Sequence, residues 1–162
     1  MTQARSRTPD RRATAPFDLV HSDLETGKDG FMYALSFIDD YSGVIIIYFL
    51  KYKSDTIKAT KQFLADIAPF GKVKCTRSDN GLEFVGHEFR TLLRDNKIKH
   101  ETCAPYSPHQ NGTAERAWLS LFNMARCLLL ESKLPRTLWA YAVMASVYIR
   151  NRCFNDRLGK TL

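Results

Sequence analysis

One stretch limits what this chain can fold into. Ala114, Trp118, Leu121, Phe122, Ala125, Leu128 and Leu129 fall at offsets 0, 4, 7, 8, 11, 14 and 15. Only a helical period puts all seven on one side. The helix this predicts runs from Asn111, a suitable N-cap, to about Ser132. Its apolar stripe must lie against a second layer. The preceding residues supply strands for that layer. Residues 17–24, 31–38 and 44–50 read as three strands, the last two joined as a hairpin through the turn residues Asp39 to Gly43. A helix follows from Ser54 or Asp55 to about Ala68, with Ile57, Phe63, Leu64 and Ile67 inward and Lys58 and Lys61 outward. Residues 73–78 form a fourth strand. A helix from about Gly86 to Asp95 turns Val85, Phe89, Leu92 and Leu93 inward, and residues 97–102 form a charged edge strand. A last helix from Pro135 to near Arg152 carries Leu138, Ala142, Ala145 and Ile149 as its stripe, with Trp139 beside it. The expected architecture is α/β, a five-stranded mixed sheet flanked by helices.

The 162 residues suit one domain, with 1–16 as a basic leader, 17–154 as the core and 155–162 as a tail. No apolar run approaches the roughly 20 residues of a membrane helix. The Arg-rich N-terminus lacks the apolar centre of a secretory signal. Net charge is +7, but residues 1–15 hold four arginines against one aspartate, so the remaining excess is mild and only weakly favours a polyanion partner. Cys75, Cys103, Cys127 and Cys153 lack zinc-site spacing and read as thiols in a reducing compartment.

Three carboxylates carry the chemistry. In the first strand Leu19, His21 and Asp23 share a face. Asp is disfavoured there without a partner, which points to a metal or a basic partner. Asp79 ends the fourth strand, where α/β sheets place their sites. Glu115 lies in the first turn of the long helix, 35 residues beyond Asp79. Two divalent ions about 3.5–4 Å apart can assist both the attacking and the leaving oxygen of a phosphodiester. Hard cations such as Mg²⁺ take carboxylates from separate rigid elements whose ends converge, with Asp23 as the bridging ligand here. That requires the first and fourth strands to be neighbours. Taken singly, each residue reads equally well as a strand-end Asp, a turn Asp or a first-turn Glu. Asp39 and Asp40 read as turn aspartates, and His109 as a loop histidine. Residues 103–110 are a candidate mobile flap.

Longer stretches raise the specificity. They are His21-Ser22-Asp23, Phe37-Ile38-Asp39-Asp40-Tyr41-Ser42, Arg77-Ser78-Asp79-Asn80-Gly81, Pro105-Tyr106-Ser107-Pro108 and Gln110-Asn111-Gly112-Thr113-Ala114-Glu115-Arg116. Ala125-Arg126, Leu134-Pro135 with Trp139, and Tyr148-Ile149-Arg150-Asn151-Arg152 follow. In this order they resemble the catalytic core of retroviral-type integrases of the DDE family, particularly those of copia-like retrotransposons, over about residues 17–153. The resemblance implies a ribonuclease-H-like fold and a catalytic, metal-binding set Asp23, Asp79 and Glu115 with Mg²⁺ or Mn²⁺. It implies DNA 3′-end processing, strand transfer into target DNA, and assembly as a homodimer or higher. Gln110, Asn111 and Arg116 are the expected DNA contacts, and the expected location is the nucleus, by way of cytoplasmic virus-like particles.

The chain departs from the family in places. No Gly-Pro follows Asp23, and Leu82 stands where a second Gly is usual. After Arg116 come Ala117-Trp118-Leu119-Ser120-Leu121-Phe122 instead of polar and basic residues, which removes a DNA-end contact four residues beyond Glu115. A zinc-binding N-terminal domain and a basic C-terminal domain have no counterpart in these residues, as expected of an isolated core or a truncated copy. Two other readings remain: a catalytically impaired, host-adopted module that binds DNA or dimerises, with Trp118, Leu119 and Phe122 as a partner patch; and a ribonuclease-H-like nuclease on RNA–DNA hybrids.

Overall fold

Five strands form one sheet in the order β3-β2-β1-β4-β5. The structure, a computed structural model, describes residues 12–27, 33–102, 112–155 and 158–161. The strands are β1 (Val20–Thr26), β2 (Tyr33–Asp39), β3 (Ile45–Leu50), β4 (Cys75–Ser78) and β5 (Lys99–Thr102). β1–β2 and β2–β3 pair antiparallel, whereas β1–β4 and β4–β5 pair parallel. The sheet is therefore mixed, and the first and fourth strands are neighbours.

Helices cover both faces. On one face α1 (Thr56–Ile67) and α3 (His87–Asp95) lie over Val20, Leu35, Phe37 and Leu50. There Phe63 of α1 stacks on Phe37 with ring centroids 4.0 Å apart. A four-residue helix, α2 (Leu82–Val85), precedes α3 and buries Phe84. On the other face α4 (Gly112–Ser132) and α5 (Trp139–Arg150) close over Ala34, Ile38 and Ile45. The inward side of α4 is Ala114, Ala117, Trp118, Leu121 and Ala125, with Phe122 and Leu129 partly buried, close to the expected stripe. Trp118 is 2% exposed and stacks on Phe122.

Three elements differ from the sequence reading. β1 starts and ends later than expected. Phe17 has φ +62°, its amide donates to Asp39 Oδ1 at 2.8 Å and its carbonyl accepts from Lys74, so the chain bends there instead of pairing. At the other end the ladder continues through Glu25 opposite Ala34 and Thr26 opposite Tyr33. α5 begins at Trp139, after one 3₁₀ turn over Arg136–Leu138, and buries Ala142, Val143 and Ser146. Ala145 and Ile149, expected inside, are exposed. A helix apolar nearly all round leaves its inward face undetermined by periodicity. Third, Phe154–Asn155 and Lys160–Thr161 pair as a two-stranded ribbon, β6 and β7, in what reads as a tail.

Side chains anchor the far end of α5. Asn151 accepts from the Ile45 amide at 3.0 Å and donates to the Ile45 carbonyl at 2.7 Å, continuing the edge of β3 with its amide group. Asn155 Nδ2 donates to the Ser42 carbonyl at 2.6 Å. Of the expected leader, residues 1–11 lie outside the described residues, while Ala13 is buried. Cys75, Cys127 and Cys153 are free thiols. No described helix is long and apolar enough to cross a membrane.

Candidate active site

β1 alternates its side chains between the two layers. Val20 and Leu24 face the α1–α3 layer. Asp23 lies opposite Ser36 and Glu25 opposite Ala34, and Ala34 packs with Ala114, Ala117 and Trp118 of α4. Directly paired residues point to the same face, so Asp23 and Glu25 look toward the start of α4. Glu115 is exposed in that helix's first turn, where the unpaired amides favour an anion.

Asp79 arrives from the neighbouring strand. Val20 and His21 of β1 pair with Thr76 and Arg77 of β4. Carried two residues on, this register brings the chain at Asp79 level with Asp23. β4 is held by an ion pair at its outer edge, Arg77 to Glu101 at 2.9 Å, and by Ser78 Oγ against His100 Nε2 at 2.9 Å. Asp79 itself is exposed and accepts from the Gly81 amide at 2.9 Å, which fixes the turn at Asn80-Gly81. Gly81 is closely approached there by two side chains. A Cβ at this position would stand 2.8 Å from Glu83 Cδ and 3.0 Å from Asp79 Oδ1. The Glu83 carboxylate therefore lies beside Asp79.

These charges act on one another. Asp23, 9% exposed, has its carboxyl pushed up to about 7, by burial first and then by Glu25, Asp79 and Glu115, against the Leu24 amide that donates to it. Burial and Glu115 likewise raise Glu25. Among the described residues no Lys, Arg or His forms an ion pair with Asp23, Glu25, Asp79 or Glu115. The carboxylates gather at one end of the sheet without closing: among the described residues no three His, Cys, Asp or Glu side chains stand close enough to hold one ion. The donor set fits a hard divalent cation, being all carboxylate oxygen with no cation among the described residues paired to it.

Glu25 escaped the sequence reading because Glu25 to Gly30 has the composition of a polar turn. Its only signal was its position two residues beyond Asp23. Of the expected DNA contacts, Arg116 is exposed and folds back over the helix start, its Nη1 3.2 Å from where a Cβ of Gly112 would lie. Gln110 and Asn111 lie outside the described residues, as do His109 and the 103–110 flap. Asp39 and Asp40 are at the opposite end of β2 and buried, Asp39 accepting from the Ser42 amide in the turn and Asp40 from the Ala13 amide of the entering chain. The proposed patch of Trp118, Leu119 and Phe122 is divided: Trp118 is buried, Phe122 is partly buried, and only Leu119 is exposed.

A family model described as integrase core domain matches residues 13–108. The chain is 33% identical over 153 residues to the retrovirus-related Pol polyprotein from transposon TNT 1-94 of Nicotiana tabacum, covering 90% of this chain and 12% of that one. It is 31% identical over 147 residues to the corresponding polyprotein from transposon RE2 of Arabidopsis thaliana, covering 86% and 10%. It thus spans roughly a tenth of the length of these curated relatives. Among solved structures it is similar to a chain of the simian T-cell lymphotropic virus intasome in complex with PP2A regulatory subunit B56 gamma. That match has a TM-score of 0.80 and 22% identity over 99% of this chain and 58% of that one. It is also similar to the HTLV-2 integrase catalytic core domain in complex with magnesium, in its trimeric form, with a TM-score of 0.72 and 23% identity over 93% and 96%. At these identities the structural likeness establishes the fold, a ribonuclease-H-like five-stranded mixed sheet with helices on both faces.

Proposed function

The chain belongs to the integrase core domain family, and we propose that it is a polynucleotidyl transferase core in which Asp23, Asp79 and Glu115 hold Mg²⁺ or Mn²⁺ for cutting and joining DNA. The observation that carries this reading is the state of Asp23. A carboxyl raised to about 7, by burial first and then by three neighbouring carboxylates, with no described ion-pair partner, is costly as an anion in the free protein. A divalent cation would remove that cost. A bound metal supplies charge that makes an attacking water or hydroxyl more acidic and offsets charge on the leaving oxygen.

The chain's own residues divide the remaining work. β1 and β4 set Asp23 and Asp79 on adjacent strands, and α4 presents Glu115 from a third element. The Asn80-Gly81 turn holds Asp79 by its Oδ1. Arg116, Gln110 and Asn111 are the residues proposed to hold DNA. The reaction proposed is hydrolysis near each 3′ end of an element's DNA, leaving a 3′-hydroxyl. That hydroxyl then attacks a target phosphodiester, releasing one target 3′-hydroxyl for each bond formed. One phosphodiester is exchanged for another, so the second step needs no external energy source.

Assembly as a homodimer or higher belongs to the same proposal, as does action on nuclear DNA. Tyr141, Met144 and Tyr148 are exposed on α5, a helix with no charge before Arg150. In a chain of net charge +7, an uncharged face is suited to meeting a second copy of itself.

The test is Mn²⁺-dependent nicking of a branched DNA substrate by the 162-residue chain. Activity is expected with the wild type. Glu115→Gln is expected to lower it roughly 10³-fold or more while leaving the melting temperature without metal near that of the wild type. A Glu115→Gln variant with full metal-dependent activity would eliminate the mechanism. Comparing duplex DNA with an RNA–DNA hybrid separates this reading from that of a hybrid nuclease.

A further inference from the structure

We propose that Glu25 is a fourth metal-facing carboxylate of this site, standing between Asp23 and Glu115 and strengthening cation binding on the Glu115 side. This rests on the metal-dependent reading above and adds a residue to it.

The placement follows from β1. Glu25 is two residues beyond Asp23 in the same strand, so their side chains share a face, with Cα atoms about 6.6 Å apart. Its cross-strand partner Ala34 is fully buried and packs with Ala114, the residue before Glu115. Glu25 is thereby held at the seam between β1, β2 and the first turn of α4. Two observations turn this from a crowded surface into a site for a cation. Among the described residues Glu25 has no ion-pair partner, although the chain carries an excess of seven positive charges. Asp23, more than nine-tenths buried, accepts among the described residues only the hydrogen bond from its neighbour Leu24. A Glu placed here to face solvent would gain nothing from burial beside two like charges. A Glu placed to add a hard oxygen ligand gains once a divalent ion arrives.

Calorimetric titration with Mn²⁺ alone, at pH 8 and without DNA, tests the proposal. It compares the wild type with Glu25→Gln, Glu25→Thr and Asp23→Asn. The Thr variant keeps a strand-forming side chain and removes the charge. Both Glu25 variants are expected to bind Mn²⁺ about 10-fold more weakly and to melt at a higher temperature than the wild type when metal is absent. Wild-type affinity in either folded variant overturns the proposal. So does failure of both to fold, which would make Glu25 a structural residue. Asp23→Asn separates the two levels: if it loses Mn²⁺ binding while the Glu25 variants do not, only the role of Glu25 falls. If Asp23→Asn binds like the wild type, the metal reading itself falls.

Discussion

Two groups of acidic residues sit at opposite ends of the β1–β2 ladder, and they are managed in opposite ways. At one end Asp39 and Asp40 are 3% and 5% exposed and fully engaged. Asp39 accepts from the amides of Phe17 and Ser42 and from the Ser42 hydroxyl. Asp40 meets the Ala13 amide, His21 and Arg12. Burial pushes the Asp40 carboxyl up, but these three partners outweigh it and leave it below the ordinary carboxylate range. At the other end Asp23 is nearly as buried, but it is surrounded by Glu25, Asp79 and Glu115 and moves the other way. The same side chain in the same sheet is stabilised as an anion at one end and penalised as an anion at the other. The first group ties the entering chain to the sheet. The second has the electrostatics of a site kept for a cation.

The comparison can be broken most forcefully at Asp40. Asp40→Ala removes the acceptor that faces His21, Arg12 and the Ala13 amide, and is expected to cost about 3–5 kcal/mol of stability while leaving Mn²⁺ affinity unchanged. Chemical denaturation and metal titration of the same variant check both halves. Loss of metal binding in a folded Asp40→Ala would erase the distinction between the two ends.

pH gives the next effect. The folded Asp23 carboxyl titrates near 7, against an ordinary 3.8, so the folded state holds a proton that the unfolded chain has lost between those values. Its contribution to stability is present below about pH 4 and is lost as pH rises through 7, on the order of 4 kcal/mol. Asp40 has the opposite sign: its contribution is present above the ordinary carboxylate range and is lost on acidification. Melting in EDTA at pH 5 and pH 8 should show the Asp23 slope. Asp23→Asn should flatten it, and saturating Mg²⁺ should reverse it, since the metal binds the deprotonated form. An Asp23→Asn variant with an unchanged slope would contradict the assignment.

A smaller effect sharpens the active end alone. Gly81→Ala drives a methyl group into the space shared by Glu83 and Asp79. Glu83 can swing aside, so the fold should be little affected. Displacement of Asp79 should slow nicking by about 10-fold. Wild-type rates would show that the position of Asp79 is tolerant.

Much of this was legible in the residues. The α4 stripe and the β-branched run of β3 announce themselves, because local period and propensity agree with the final packing. The same holds for Asp39 and Asp40 as turn residues, although composition did not say how deeply they are buried. Glu25 was hidden because Gly27, Lys28, Asp29 and Gly30 look like a turn that starts early. What extends β1 is its pairing with β2, a long-range effect. The inward face of α5 was misassigned because Trp139 to Ile149 offers apolar residues on every side. The meeting of Asp23 with Asp79 depends on the parallel pairing of β1 and β4, which no local pattern encodes. There the ordered motifs, read as a resemblance, supplied what periodicity could not.

The most direct measurement is a crystal structure of the chain grown with Mn²⁺, with anomalous scattering used to locate the ion. The account predicts anomalous density about 2.0–2.3 Å from carboxylate oxygens of Asp23 and of Asp79 or Glu115, with the spread carboxylates drawn together around it. Ordered Mn²⁺ elsewhere on the molecule, with these three side chains still apart, would contradict it.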